Sequence, residues 1–144
     1  MTRSTAPVLP CMCASLRRAS RTITQVYEQA LIPAGLSATQ FTIMQTLSLA
    51  GEVTQGELAR ILAMDSTTLT RTLAVMSRSG WIAKKRGQDR REWRMRVSGA
   101  GEARFQQALP HWRKAQTHVR RQLGKELSDR LMKLTQETAN SLID

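Results

Sequence analysis

The sequence predicts a mainly α-helical chain carrying one small β-hairpin. Three observations predict it. Apolar residues recur at spacings of three and four through most of the chain, the period of a helix with one buried face. One short stretch, Trp81 to Val97, changes to period two around a polar turn. Helix-starting side chains, Ser37, Thr54 and Asp65, stand at the heads of periodic runs. The length, 144 residues, suits one domain or two small lobes that share a core.

Pro7 and Pro10 punctuate an N-terminal arm. A first helix is expected from about residue 12, with Leu16, Ala19, Ile23, Val26 and Ala30 on its apolar side. Pro33 and Gly35 stop it. The second helix starts at the capping box Ser37-x-x-Gln40, turns Phe41, Met44 and Leu47 inward, and ends at Gly51. The third starts at Thr54 with Glu57 three residues on, and Leu58, Ile61 and Leu62 are expected to face inward. After a break at Ala63 and Met64, Asp65 caps a fourth helix over 66–79. Leu69, Leu73 and Met76 anchor it at i, i+4 and i+7, and Gly80 ends it. The hairpin follows, with its turn at Gly87 to Arg90 and Trp93, Met95 and Val97 on one buried face. From Ser98 to the end the pattern is helical again. Pro110 is expected to kink or break this stretch, and Gly124 with a possible cap at Ser128 to divide it. Val119, Leu123, Leu127, Leu131, Leu134 and Leu142 form a stripe that no second layer in the chain obviously covers, so a partner is expected.

Charge narrows the function classes. Twenty-two Lys and Arg face eleven Asp and Glu, a net +11. An excess of this size points to a polyanion, with nucleic acid ahead of an anionic membrane surface. The segment 84–96 concentrates Lys84, Lys85, Arg86, Arg90, Arg91, Arg94 and Arg96 against Asp89 and Glu92. No apolar run approaches the roughly 18 residues that span a bilayer. The opening "MTRSTAPVLP" has no apolar core of a secretory signal, so a cytoplasmic location is expected.

Helix, helix, short turn, helix, basic hairpin is the order of a winged helix-turn-helix. The major groove admits one helix, whose exposed face reaches base edges. On the helix over 66–79 that face carries Ser66, Thr67, Thr70 and Arg71, with Arg78 further on. Small hydroxyls let the backbone come close, and Arg71 is long enough for a guanine edge or a phosphate. Arg90 or Arg91 at the hairpin tip is placed for the minor groove. Asp89 is expected to pair with a nearby Arg and fix the tip. Lys84, Lys85, Arg94 and Arg96 are expected at phosphates. A sequence-blind architectural DNA binder is the second class, and it would not need a recognition helix of Ser, Thr and Arg.

The ordered pieces "LSATQFTIMQTL", "TQGELARIL", "DSTTLTRTLAVMSRSGWIAKK", "DRREWRMRVS" and "GAG" resemble the MarR family of bacterial regulators over about 36–101. The outer helices fit as well, so the resemblance covers nearly the whole chain. The family's wing Asp-x-Arg falls on Asp89 and Arg91, and its recognition-helix pattern on Ser66, Thr67, Thr70 and Arg71. Its usual Leu-Thr after the wing reads Val97-Ser98 here. The resemblance implies a triangular homodimer, with a dimerisation helix in 1–35, a DNA-binding lobe in 36–99 and dimerisation helices in 100–144. It further implies a transcriptional regulator, more often a repressor, bound to a near-palindromic operator and released by a small-molecule effector.

Catalytic sets are missing from the sequence: there is no phosphate-binding G-x-x-x-x-G-K-[ST], no G-x-S-x-G and no H-E-x-x-H. His111 and His118 have no ligand-type residues beside them at metal spacing. An enzyme, a metal and a cofactor are not expected.

The two cysteines, Cys11 and Cys13, are too few for a disulfide scaffold. A branch of the MarR family that senses organic hydroperoxides implies another role. That branch carries a reactive Cys early in the first helix, an Ala-Ser-Arg whose Arg lies eight residues on, and a Tyr fourteen residues on. Cys13, Ala19-Ser20-Arg21 and Tyr27 match those offsets. The branch's nearer Tyr is replaced by Arg17, which puts a cation one helical turn from the sulfur. A thiol-based redox switch at Cys13, with Arg17 and Tyr27, is therefore the alternative to small-molecule release.

Overall fold

The computed structural model describes residues 5–143. The elements are α1 (Met12–Leu31), a 3-10 turn (Ile32–Ala34), α2 (Ala38–Ala50), β1 (Val53–Thr54), α3 (Gln55–Leu62), α4 (Ser66–Arg78), β2 (Ile82–Arg86), β3 (Trp93–Val97), α5 (Gly99–Leu123) and α6 (Lys125–Leu142). Both expected capping boxes form. Ser37 Oγ accepts the Gln40 N–H and Gln40 Oε1 accepts the Ser37 N–H, and Thr54 and Glu57 repeat the exchange. Each box satisfies two backbone donors that a helix start otherwise leaves to water.

One core holds α2, α3, α4, the sheet and the first half of α5 together. Leu31, Ile43, Met44, Leu58, Leu69 and Met76 are fully buried within it. Phe105 of α5 lies 5.1 Å, ring centre to ring centre, from Phe41 of α2, and Trp112 stacks on the other side at 5.8 Å. The long helix α5 is thereby part of the lobe at its start and of the α1–α5–α6 layer further along.

The sheet has the order β1-β3-β2, all antiparallel. β1 pairs Val53 with Met95 and Thr54 with Arg94, and β2 pairs Ile82 with Val97 through Arg86 with Trp93. The two-residue β1 lies outside the period-two pattern, because two residues are too few to alternate.

Four expectations are corrected. Ile61 is exposed, not inward. Leu58 and Leu62, four apart, set the inward line, and Ile61 lies about 100° round the helix from Leu62. Trp93 is 47% exposed: the β1 pairing stops at Arg94, and the Arg86 guanidinium lies 4.4 Å from the ring centre. Pro110 does not break α5, which runs through it. Pro110 and Gln106, whose carbonyl loses a backbone donor, are both exposed residues. Ser128 is not a cap. Gly124, at φ 79°, makes the turn between α5 and α6 by itself, and Ser128 is buried one turn inside α6.

The joint between the lobe and α5 is built at Ser98. Its Oγ accepts the Gly101 N–H at 3.0 Å and donates to the Gly80 carbonyl, while its own N–H donates to the Trp81 carbonyl at 2.9 Å. Gly101 has no room for a side chain: a Cβ there would overlap the Trp81 carbonyl and Val97. Gly99, two residues earlier, faces open space. Replacing Gly101 by Ala is expected to cost about 3 kcal/mol, because the obstacle is backbone. Thermal melting should fall by roughly 10 °C. Gly99→Ala should leave the melting temperature unchanged or slightly raised.

Candidate nucleic-acid interface

The turn before α4 is tight. Ala63 adopts a left-handed conformation (φ 50°, ψ 39°) and returns its N–H to the end of α3. Asp65 then starts α4. Its Oδ1 accepts the Thr68 N–H at 2.8 Å and its Oδ2 the Thr68 hydroxyl at 2.6 Å. These bonds from the Thr68 hydroxyl and N–H hold the Asp65 carboxyl below the usual carboxylate range, with desolvation opposing. The inner side of α4 is closed, since Leu69, Leu73 and Met76 are each at most 1% exposed.

The opposite side presents the four residues expected to read DNA. Ser66, Thr67, Thr70 and Arg71 are all exposed, and together they line one shallow concavity. Gln55, the first residue of α3, was not expected there. Its Nε2 donates to Thr70 Oγ1 at 2.7 Å. A hydroxyl that accepts from Gln55 keeps its own proton free for an outside acceptor.

The hairpin tip is ordered by backbone bonds. Gly87 N–H donates to the Glu92 carbonyl at 2.9 Å and Glu92 N–H to the Asp89 carbonyl at 3.0 Å. Asp89 fixes the tip, though not by the expected ion pair: its Oδ1 accepts the Arg91 backbone N–H at 3.0 Å. In so short a loop the amide two residues on is nearer than any guanidinium, an Asx turn. Arg86 adds to the frame by donating to the Arg90 carbonyl while lying over Trp93. Arg90 and Arg91 stand exposed at the tip. Among the described residues neither they nor Arg71, Lys84 and Arg96 have an ion-pair partner.

Lys85 and Arg94 are different. They were expected on phosphates, and Glu52 holds both. Its Oε2 is 3.0 Å from Lys85 Nζ and its Oε1 3.3 Å from Arg94 Nε, and its backbone carbonyl accepts from Arg94 Nη2 at 2.8 Å. The Glu52 carboxyl is held below its usual range, first by the Lys85 hydrogen bond. The sequence carried no local signal for this, because Glu52 and Arg94 are 42 residues apart.

In α1, Cys11 is the N-cap residue and Cys13 lies in the first turn, both exposed, with Arg17 one turn on. Tyr27 is not near them. Fourteen residues along one helix is about 21 Å. The Tyr27 hydroxyl instead donates to Gln116 Oε1 of α5, and burial raises its pKa, with Arg120 opposing. Within one chain, then, Cys13 and Tyr27 do not form one site. Among the described residues no group of three or more metal-type ligands occurs, and no helix is long and apolar enough to cross a membrane.

Comparison with known proteins agrees with this geometry. The family profile described as MarR family matches residues 36–93. The M. tuberculosis transcriptional regulator MosR, solved in complex with DNA, is 36% identical with a TM-score of 0.78, covering 92% of this chain and 98% of that one. A cysteine-to-serine mutant of E. coli MarR complexed with operator DNA shares the fold at TM-score 0.79, with 19% identity over 88% and 92% of the two chains. The uncharacterised regulator YwoH of Bacillus subtilis (strain 168) is 26% identical over 92 residues, 64% of this chain and 67% of that protein.

The Asp65 cap has a pH signature. A carboxyl with a lowered folded-state pKa stabilises the fold above its unfolded pKa, and that contribution disappears as pH falls through the folded value. Asp65→Ala should therefore melt a few degrees below wild type at about pH 7. The gap should begin to narrow below about pH 4, the unfolded value, and close as pH falls through the lower folded-state value. Melting curves of both proteins across that range check it.

Proposed function

Since the chain belongs to the MarR family of transcriptional regulators, we propose that it acts as a homodimeric repressor that reads a near-palindromic operator and is released by a small-molecule effector. The observation that carries the reading is the arrangement on α4. Ser66, Thr67, Thr70 and Arg71 share one exposed concavity on a helix whose other side is sealed into the core. Such a helix meets DNA as a rigid edge. In this reading α4 enters the major groove, with Arg71 at a guanine edge or phosphate and the hydroxyls of Ser66, Thr67 and Thr70 at bases or backbone. The tip residues Arg90 and Arg91 enter the neighbouring minor groove, and Lys84 and Arg96 lie at phosphates.

Dimerisation is supported by what one chain leaves uncovered. Leu16 of α1 and Leu127 and Leu134 of α6 are each about half exposed. An apolar side of that size on paired helices favours a second copy with two-fold symmetry. Release by a small molecule follows from the family resemblance.

Two experiments test the reading. Arg71→Ala should relax base preference at one position per half-site, costing about 1–3 kcal/mol on the preferred operator. Lys84→Ala should instead weaken all sequences alike and flatten the salt dependence by about one per protomer. Wild-type operator affinity in both variants at moderate salt would contradict these roles. Sedimentation should give twice the chain mass of 16.2 kDa, and Leu127→Glu with Leu134→Glu should shift it toward one. A wild-type protein that sediments as a monomer at micromolar concentration would contradict the dimer.

A further inference from the structure

Glu52 stands between two cations that face each other across the wing. Lys85 and Arg94 are direct cross-strand partners in the β2–β3 pairing. Like charges in that position repel and loosen a hairpin. Glu52 comes from the residue just before β1 and takes one cation on each oxygen, while its carbonyl takes a second bond from Arg94. Arg94 is the better held, with about a third of its side chain exposed, whereas Lys85 is mostly exposed.

Resting on the reading of this chain as an operator-binding protein, we infer that Glu52 is a positioning residue that raises DNA selectivity. It acts in two ways. It ties β3 to β1 and hence to the start of α3, so the wing tip has a fixed place relative to α4. It also keeps Lys85 and Arg94 off phosphate. Contacts to phosphate add affinity without sequence information. Two cations per protomer held on a carboxylate lower binding to random DNA and to the operator alike, so the selectivity comes from the fixed place of the wing tip, which the operator complex uses and a random duplex does not. The free cations of the wing, Lys84, Arg90, Arg91 and Arg96, are untouched by this triad.

Glu52→Gln tests this, because it keeps the size of the side chain and removes the charge. The DNA is an operator isolated by selection from random duplexes with the wild-type protein, set against a scrambled duplex. Random-duplex affinity is expected to rise about tenfold at low salt, and its salt slope to steepen by about one or more per protomer. The operator-to-random ratio should fall about tenfold. A residue that merely supports the fold would weaken both duplexes with no steeper slope, and that result overturns the inference. Unchanged affinity and slope overturn it too. Should Glu52→Gln fail to fold, Lys85→Met decides. Removing a lysine that Glu52 already holds should leave the operator salt slope at the wild-type value, and a slope flattened by about one per protomer would overturn the inference. A wild-type protein with no preference for any duplex removes the DNA-reading proposal beneath it. A selective wild type with unchanged variants removes the role of Glu52 alone.

Discussion

Leu69, Leu73 and Met76 lie at i, i+4 and i+7 of α4 and are withdrawn from water almost completely. Each such side chain contributes roughly 1.5–3 kcal/mol on burial. The three together are therefore comparable to the net stability of a small domain, about 5–15 kcal/mol. The helix cannot lift from the lobe without the lobe unfolding. That constraint gives the exposed side of α4 its meaning. A groove-reading surface, as proposed for α4, needs its side chains held in one place before DNA arrives, and hydrophobic burial on one side of this helix fixes polar groups on the other. The Asp65 cap sets where the helix begins, and Gln55 orients Thr70 from the preceding helix.

The rest of the lobe extends this anchoring outward. Ser98 and Gly101 join the end of α4, the wing and α5 at one point, through the carbonyls of Gly80 and Trp81. Glu52 anchors the wing strands, and Arg86, stacked on Trp93, frames the tip. The wing is thus made of two kinds of cation. Arg86, Lys85 and Arg94 are engaged by partners within the protein, and among the described residues Lys84, Arg90, Arg91 and Arg96 have no ion-pair partner. Net charge alone does not separate them.

What the sequence revealed follows from range. Capping boxes at Ser37 and Thr54, the stripe of α4 and the shared exposed side of Ser66, Thr67, Thr70 and Arg71 depend on neighbours within a turn or two, and each is legible as a pattern. Ile61 falls off the line that Leu58 and Leu62 set, Ser128 lies one turn inside a helix that Gly124 starts, and Trp93 depends on where another strand ends. Trp93 has the right period but lies beyond the reach of β1. Pro110 breaks helices on propensity, yet α5 is held by packing at Phe105, Ala108 and Trp112, and one missing hydrogen bond on the exposed side is tolerated. Glu52 was invisible because its role needs the register of β3 against β1 and β2. The offsets four, eight and fourteen from Cys13 share a sequence pattern but not a place: Arg17 is one turn along α1, whereas fourteen residues of helix keep Cys13 and Tyr27 apart in one chain.

The central claim is that a rigid α4 and an anchored wing, presented twice by a two-fold dimer, read one inverted repeat. The most direct measurement is a hydroxyl-radical footprint on genomic fragments enriched by the wild-type protein. The account predicts two protected blocks of equal strength, related by the dyad of one near-palindrome and spaced by about one helical turn or a multiple of it. Protection spread evenly along the fragment, following protein concentration and independent of sequence, would contradict it.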